Sequence, residues 1–311
     1  MNRKRCVVAL DVGGTKIACG LFLEDGKMIF QKTVPTNQES ADTSVSQLVS
    51  LALEAVSQAP KDFVAAGVGI IVPGWVNHKT RTVWAPNISG WNHIPLERKL
   101  SNELPLPIVL DSDRSGYVKG EVWLGVARGL TDVIFLAVGT GIGAGILANG
   151  QIIHGHEDLA GAVGWLALNP RYQEIYSRMG CFEAEASGGS VGRKGREASG
   201  APSSGGREDL LTAQDVLQAA ASGDPRALEI VNQVAVYLGM GVANLISTLN
   251  PQMIVLGGGL FQSGNCLFDR VRQECVRWAQ PFAAQSVRLE LSALGERAGL
   301  AGAARIALDN T

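Results

Sequence analysis

The segment Asp11-Val-Gly-Gly-Thr-Lys16 joins two apolar runs, 6–10 and 17–23, and decides the fold class of this chain. A second Gly-rich segment, Gly139-Thr-Gly-Ile-Gly-Ala-Gly145, follows the apolar run 133–138 in the same way. Glycines adopt positive φ and let the backbone come close to an anion, so N–H groups and a Thr hydroxyl can bind phosphate oxygens. Two such hairpins predict one nucleotide held between two halves of the chain.

Either hairpin alone also fits a tight β-turn, which is the more common meaning of a Gly-rich segment between strands. The first hairpin adds a carboxylate at the C-terminal end of a buried strand, where it can orient Mg²⁺ on phosphates. Neither hairpin fits the P-loop or the G-x-G-x-x-G pattern, so those nucleotide folds are disfavoured. The candidate phosphate-binding residues are Asp11, Gly13, Gly14, Thr15, Lys16, Gly139, Thr140 and Gly141.

Composition narrows the class of protein. A chain of 311 residues with 46% hydrophobic content can fill the cores of two α/β lobes. A net charge of −2 and a pI near 6.1 give no electrostatic footprint for nucleic acid or an anionic membrane, and small soluble substrates are favoured. Five cysteines without a C-x-x-C pair favour reduced thiols. The N-terminal apolar stretch is too short for a signal peptide, and the run 133–148 is broken by Gly and Thr and too short for a membrane helix, so we expect a cytoplasmic protein.

Acidic residues recur where buried strands end. The apolar run 64–72 predicts one buried strand, and the run 107–110 predicts another that leads into Asp111-Ser-Asp113. A helix is expected over 115–124. The repeated strand-to-acid pattern indicates an α/β fold with its site at the strand ends. Asp113 is the candidate general base, although N-capping of the following helix is an alternative role.

The second half repeats the hairpin-first order. The pattern over 216–248 predicts two helices, and the buried strand 251–256 enters Gly257-Gly-Gly259. The stretch 187–206 between hairpin and helices holds many Gly, Ser and Arg residues with few apolar ones. We expect a mobile surface insertion there, with a linker between globular units as the alternative.

Several motifs outside the hairpins occur in an order that resembles one family, the ROK sugar kinases of the actin-like ATPase superfamily. They are Pro86-Asn87-x-x-Gly-Trp91, Asp113 with Gly120-Glu121, Gly180-Cys-x-Glu183 with Ser187-Gly188, Gly257-Gly-Gly259, and Ala298-Gly-Leu-x-Gly-Ala303. The resemblance spans nearly the whole chain.

The resemblance implies an α/β fold of two RNase-H-like lobes with a central cleft. The small lobe would hold residues 1–115 and be completed by a C-terminal helix over 297–311. The large lobe would hold residues 116–296, including the flexible insertion 187–206. The family also implies ATP and Mg²⁺ as cofactors, a sugar hydroxyl as phosphoryl acceptor, and a homodimer.

Site residues follow from the same resemblance. Asp113 falls on the catalytic base, Asn87 and Glu183 fall on sugar-contacting positions, and Gly257, Gly258 and Gly259 fall on the adenosine-side loop. Alternatives remain at three places. Asn87 also fits a turn after Pro86, Trp91 fits a core aromatic better than a stacking surface, and the three glycines fit a plain strand-to-helix turn.

The chain departs from the family at the acceptor side. The usual Glu-x-Gly-His reads Ala162-Val-Gly-Trp165, and the Asn that often precedes the catalytic Asp is Ser112. The family's structural zinc uses that His and three cysteines, of which Cys181 alone is present. Tetrahedral zinc needs four ligands, so we expect no structural zinc. His154 and His156 could join Cys181, but histidines two apart more often lie on a solvated edge.

These features predict an ATP-dependent sugar kinase with an altered acceptor site. The expected substrate-binding residues are Asn87, Ser112, Glu183 and Trp165, and Asp11 is the expected holder of Mg²⁺. One alternative is a non-catalytic sugar or nucleotide sensor of the same fold, and another is a phosphotransferase acting on a carboxylate or polyol. DNA binding is disfavoured, because Asp11 lies too near the start for the helix-turn-helix that repressors of the family carry.

Overall fold

Two compact units make up the chain in the computed structural model, which describes residues 4–199, 212–262 and 266–311 apart from the side chain at 266. Unit 1 runs to Gly129 and also takes in Ile152–Ala160 and Glu296–Thr311. Unit 2 consists of Leu130–Gln151 and Gly161–Gly295.

Unit 1 is built on a five-stranded sheet with helices on both faces, and it also contains a separate two-stranded sheet formed by its fifth and sixth strands. Its strands are β1 (Lys4–Val12), β2 (Lys16–Leu23), β3 (Met28–Pro35), β4 (Phe63–Val72), β5 (Trp75–Asn77), β6 (Thr82–Trp84) and β7 (Ile108–Ser112). Its helices are α1 (Ala41–Ser57), α2 (Leu96–Ser101), α3 (Asp113–Leu124) and, from the end of the chain, α12 (Arg297–Asn310). The boundary expected at residue 115 therefore falls inside α3, and the unit continues beyond it.

The sheet of unit 1 has the order β3-β2-β1-β4-β7. The first three strands pair antiparallel, whereas β4 pairs parallel with both β1 and β7. Successive residues of β1 alternate between two cores, as the period of two in a strand requires. Val8 and Leu10 pack in the core that contains α1, while Val7 and Ala9 pack against α12.

Unit 2 repeats this plan. Its sheet has the order β10-β9-β8-β11-β12, from β8 (Val133–Val138), β9 (Ile142–Ala148), β10 (Gln151–Ile152), β11 (Met253–Gly257) and β12 (Arg288–Leu291). Here β8 pairs antiparallel with β9 and parallel with β11, which pairs parallel with β12. Both units thus share one strand order and one pattern of strand directions.

The helices of unit 2 include a short 3₁₀ turn over Val163–Trp165. They are α4 (Tyr176–Met179), α5 (Cys181–Ala186), α6 (Gly188–Ser199), α7 (Ala213–Ala221), α8 (Pro225–Leu249), α9 (Gly259–Gln262), α10 (Cys266–Trp278) and α11 (Pro281–Ser286). Among the described residues, α8 is the one helix long and apolar enough for a membrane span, and 56% of its apolar window is buried. It is the core helix of unit 2, and the cytoplasmic location stays a prediction.

The expected mobile insertion at 187–206 is wrong over its first part, because residues 188–199 form α6. Two basic side chains attach this helix to α5. Arg193 donates to the carbonyl of Ala184 at 2.9 Å, and Lys194 lies 2.9 Å from the buried carboxylate of Glu185. Arg193 and Lys194, whose charges suggested a solvated loop, therefore hold α6 against α5. Residues 200–206 lie outside the described part of the chain.

Helix α12 approaches the rest of unit 1 through glycines. A Cβ at Gly302 would overlap the backbone of Gly116 in α3, and one at Gly120 would overlap the carbonyl of Ala298. On the sheet side, a Cβ at Gly69 of β4 would overlap the carbonyl of Ala303. The closing motif of the sequence is therefore a backbone-to-backbone packing surface.

We expect Gly302→Ala to destabilise the protein. Alanine would favour the helix by about 1 kcal/mol, but the overlap with Gly116 should cost about 1–3 kcal/mol or more. The melting temperature should therefore fall. Gly259→Ala is the control, because a Cβ there would approach only Gln214, at 3.9 Å. An unchanged or raised melting temperature for Gly302→Ala would contradict this packing.

Candidate active site

The first hairpin of unit 1 is a tight turn with a carboxylate at its base. Strands β1 and β2 pair up to Val12 and Ile17, and the N–H of Gly13 donates to the carbonyl of Lys16 at 2.9 Å. Lys16 is exposed and lies 3.1 Å from Glu296. Asp11 precedes the turn, and a Cβ at Gly299 of α12 would overlap its carboxylate. The C-terminal helix therefore forms one wall around Asp11.

Gln38 joins this hairpin to the loop that carries Asn87. Its amide donates to the carbonyl of Gly14 and, at 3.1 Å, to the carbonyl of Asn87, and its oxygen accepts from the N–H of Ser89 at 2.8 Å. The sequence analysis did not identify Gln38, because an isolated Gln in a polar loop gives no pattern. The two predicted site segments of unit 1 are thus held together by one side chain.

Asn87 lies in a turn with an exposed side chain. The N–H of Ile88 donates to the carbonyl of Ala85 at 3.0 Å, which closes the turn after Pro86. Trp91 is only 2% exposed, and its indole N–H donates to the hydroxyl of Ser44 at 2.8 Å. Trp91 is therefore a core residue of unit 1, as the sequence analysis favoured over a stacking surface.

Asp113 is the first residue of α3 and lies just beyond the C-terminal end of β7. The N-cap of α3 is Ser112, whose buried hydroxyl accepts from the N–H of Ser115 at 3.3 Å. The capping alternative for Asp113 is therefore wrong, and its carboxylate accepts from the N–H of Arg114 at 2.8 Å. The hydroxyl of Ser112 serves the helix, and its contact with a sugar stays a prediction.

The strand register brings the two acidic positions to one edge of the sheet. Asp11 pairs with Ile71 of β4, and Ile71 pairs with Asp111 of β7. Neighbouring strands lie about 4.8 Å apart, so Asp11 lies two strands away from Asp111, and Asp113 follows two residues later. The carboxyl ends of parallel strands therefore gather these carboxylates within unit 1.

Both carboxylates are easier to protonate than ordinary ones. Burial, with a further contribution from Asp113, raises the pKa of Asp11 from 3.8 to about 7, although Lys16 opposes the rise. Burial also raises the pKa of Asp113 to about 6, against the lowering effect of Arg114. Two poorly solvated carboxylates near one another favour the binding of a cation. A carboxylate whose pKa lies near neutrality can also act as a general base.

Unit 2 carries the second hairpin and Glu183. The N–H of Gly139 donates to the carbonyl of Gly141 at 2.9 Å, and the N–H of Gly188 at the start of α6 donates to the carbonyl of Gly139 at 2.8 Å. Glu183 accepts from the N–H of Ile142 at 2.7 Å. Burial raises the pKa of Glu183, and the Ile142 hydrogen bond opposes that rise. Glu183 is therefore packed directly against the predicted phosphate turn.

A cavity of about 360 Å³ opens beside this turn, within the size range of small-molecule sites. The walls of the cavity come from the second hairpin, α6, the start of α7 and the Gly-rich loop after β11. Its lining residues are Gly139, Thr140, Gly188, Gly189, Gly192, Arg196, Thr212, Ala213, Gln214, Gly259 and Leu260. The lining from α6 was missed in the sequence analysis, because the stretch 187–206 was expected to be irregular.

The Gly257–Gly259 loop is a strand-to-helix turn. Gly257 ends β11, Gly258 has a φ of 91°, and Gly259 begins α9. A Cβ at Gly258 would lie 2.5 Å from the carbonyl of Val138 at the end of β8. Both sequence interpretations share this geometry, and Gly259 in addition lines the cavity.

The altered motif after the second hairpin leaves an apolar surface. Ala162 is exposed, and Trp165 is 57% exposed. Cys181 is buried, and its sulfur accepts from the N–H of Asn169 at 3.3 Å. His154 contacts Asp111 within unit 1, and exposed His156 lies 3.1 Å from Glu157. In the described part of the chain, neither histidine forms a metal-ligand group with Cys181.

Comparison with known proteins places this geometry in a family. The sequence profile of the ROK family matches residues 7–310. The chain belongs to the ROK family. A glucokinase of Halalkalibacterium halodurans is 31% identical over 310 residues, covering 96% of this chain and 93% of that protein.

Two solved ROK structures agree with the fold. The ROK hexokinase of Thermus thermophilus has a TM-score of 0.85 at 30% identity, over 97% of this chain and 98% of that one. A ROK glucokinase of Streptomyces griseus, in complex with glucose and AMPPNP, has a TM-score of 0.79 at 30% identity, over 98% and 100%. The predicted family and the actin-like ATPase fold are confirmed.

The raised pKa of Asp11 predicts how stability depends on pH. Because the folded-state pKa of about 7 exceeds the ordinary 3.8, the folded state is favoured by protonation. That advantage is complete below pH ~4 and is lost as pH rises through about 7. Asp11→Asn should therefore raise the melting temperature at pH 8, with a gain of at most about 4 kcal/mol in the free energy of unfolding, and change it little at pH 4.

The measurement is thermal unfolding without nucleotide or divalent ions. Asp62→Asn, at an exposed carboxylate, is the control and should shift the melting temperature equally at both pH values. An Asp11→Asn variant that is less stable than the wild type at pH 8 would contradict the assigned burial.

Proposed function

We propose that this chain is an ATP-dependent sugar kinase in which Asp113 is the general base. The observation that carries the proposal is the environment of the Asp113 carboxylate. Asp113 lies just beyond the end of β7, Ser112 and not Asp113 caps α3, and the pKa of the Asp113 carboxyl group is about 6. ROK relatives named glucokinase and hexokinase, each about 30% identical over nearly the whole chain, support the activity.

The residues present fit the cofactors that the family implies. Asp11 is a poorly solvated carboxylate with a second one nearby, and a divalent cation would offset both charges. In unit 2 Gly139, Thr140 and Gly259 line a cavity of suitable size for a nucleoside, and the S. griseus relative was crystallised with an ATP analogue. Asp11 would hold Mg²⁺, and unit 2 would hold ATP, which supplies the γ-phosphoryl group.

The chain's own residues would then act on the acceptor. Asp113 would accept the proton of the attacking sugar hydroxyl, a role that requires its ionised form. Asn87 would orient the sugar from unit 1, with its loop fixed by Gln38. Glu183 is a second proposed sugar contact, and its Oε2 accepts from the N–H of Ile142, which leaves Oε1 for a ligand. The backbone amides of both hairpins would stabilise phosphate charge.

Asp113→Asn tests the base directly. The amide cannot accept the proton, so kcat should fall about 10²- to 10⁴-fold while binding of an ATP analogue is retained. Turnover is measured by coupled ADP release across hexoses, N-acetylhexosamines, ketoses and polyols, with Asp62→Asn as control. A fall in activity of about threefold or less in Asp113→Asn would contradict the assignment, because the loss of a general base predicts a much larger fall.

Ligand-dependent stabilisation without turnover of any acceptor would favour the sensor alternative. The altered acceptor motif gives that alternative its basis, since Ala162 has no hydrogen-bonding side chain and Trp165 offers one N–H donor and no acceptor. Polyols or carboxylates as the sole acceptors would favour the other phosphotransferase.

The same motif predicts weak use of glucose. Restoring both side chains, as Ala162→Glu with Trp165→His, should raise kcat/KM for glucose about tenfold or more, because charged hydrogen bonds to hydroxyls contribute about 1.5–3 kcal/mol. Ala167→Glu adds a carboxylate at another exposed position of the same segment and should have no effect. Equal kcat/KM for the wild type and the restored variant would refute this account of the acceptor site.

A further inference from the structure

Unit 1 contains a cluster of two imidazoles and a carboxylate that the kinase mechanism does not use. Its members are His78, Asp111 and His154, whose nearest ligand atoms all lie within 4.8 Å of one another. His78 follows β5, Asp111 lies near the end of β7, and His154 follows β10. Three segments far apart in sequence therefore meet at one point of the fold.

Asp111 is the buried member of the cluster, and its carboxylate already contacts one of the two histidines. Asp111 is 6% exposed, and its Oδ1 accepts from the N–H of Ser112 at 2.7 Å. Its Oδ2 lies 3.0 Å from Nε2 of His154. One carboxylate oxygen is thus fixed by the backbone, and the other shares a proton with His154, which a metal ion bound by both groups would replace.

A fourth residue orients the exposed histidine. Asp158 accepts from the backbone N–H of His78 at 2.9 Å, and its other oxygen lies 3.0 Å from Nδ1 of the His78 ring. A carboxylate that holds one ring nitrogen leaves Nε2 as the ligand atom, which is the arrangement found behind metal-bound histidines. The rings of His78 and His154 lie 4.7 Å apart between centroids.

We propose that His78, Asp111 and His154 bind a divalent transition-metal ion, with Asp158 as the residue that positions His78. Two imidazoles and one carboxylate favour ions such as Zn²⁺ or Co²⁺ over Mg²⁺, which prefers oxygen ligands. The site is separate from the zinc position that the family resemblance implied, because it does not involve Cys181. It also does not depend on the kinase assignment.

The geometry requires a modest movement. Ligand atoms about 2.0–2.1 Å from a tetrahedral Zn²⁺ lie about 3.3 Å apart, so the longest separation of 4.8 Å must shorten. His154 and Asp111 are already 3.0 Å apart. The adjustment therefore falls on His78, whose side chain is 41% exposed and follows a short strand.

Metal binding would cross-link three segments of unit 1. It would connect residues 152–160 to the end of β7. This segment belongs to unit 1 but lies in the sequence between two parts of unit 2. That strand end lies two residues before Asp113. We therefore expect the ion to stabilise the folded protein, since a ligand that binds only the native state shifts the unfolding equilibrium.

Zn²⁺ titration of the full chain, in a buffer with excess Mg²⁺ and no nucleotide, tests the site. Isothermal titration calorimetry should show one equivalent bound to the wild type. His78→Ala and His154→Ala should each weaken binding more than about tenfold, and Asp158→Asn should weaken it about tenfold, as outer partners of metal ligands do. Zn²⁺ should raise the melting temperature of the wild type but not of His78→Ala.

His156→Ala is the matched control, because His156 is exposed, lies two residues from His154 and contacts only Glu157 within the described ion pairs. It should bind Zn²⁺ like the wild type. Co²⁺ provides a second readout, since its visible spectrum reports tetrahedral coordination and should be lost in His78→Ala.

His154→Ala leaves the buried Asp111 without its partner and risks unfolding, so His78→Ala decides the outcome. Wild-type protein without saturable Zn²⁺ binding would overturn the proposal. Equal affinities of wild type and a folded His78→Ala would overturn it too, as would an equal loss in His156→Ala.

Discussion

The close backbone contact of α12 with α3 and with the sheet of unit 1 is the constraint on which the proposed roles of Asp11 and Asp113 depend. Gly299 leaves just enough space for the carboxylate of Asp11, and Gly302 and Gly120 let α12 and α3 meet backbone to backbone. Helix α3 begins at Asp113. The same contact therefore sets the surroundings of one acid and the position of the helix that begins with the other.

This packing explains the electrostatics. A helix held so close removes water from the strand ends, and burial is the largest cause of the raised pKa at both Asp11 and Asp113. Such burial opposes folding whenever the carboxylates are ionised. Carboxylates in that condition gain from a cation or a proton, which is what phosphoryl transfer to a hydroxyl brings to a site.

Prediction from sequence was most successful where a local pattern has one physical meaning. Apolar runs ending in Gly or Asp predicted β1, which carries Asp11, β7, which leads into Asp113, and the first strand of the second hairpin. It failed at α6, because Arg193 and Lys194 look like solvent-facing residues until α5 supplies a carbonyl and the carboxylate of Glu185. It also failed to identify Gln38, whose role depends on two loops that are distant in sequence.

The sequence alone determined the family through the motifs that resemble it, and it determined the fold class and the residues at the strand ends because strand period and glycine geometry act between neighbours in the chain. The tertiary structure decided which groups share an environment. It assigned the cap of α3 to Ser112, placed Trp91 in the core, assembled the cavity from α6, α7 and two glycine turns, and gathered His78, Asp111 and His154. Burial and contact between distant segments exist only after folding, so no local pattern encodes them.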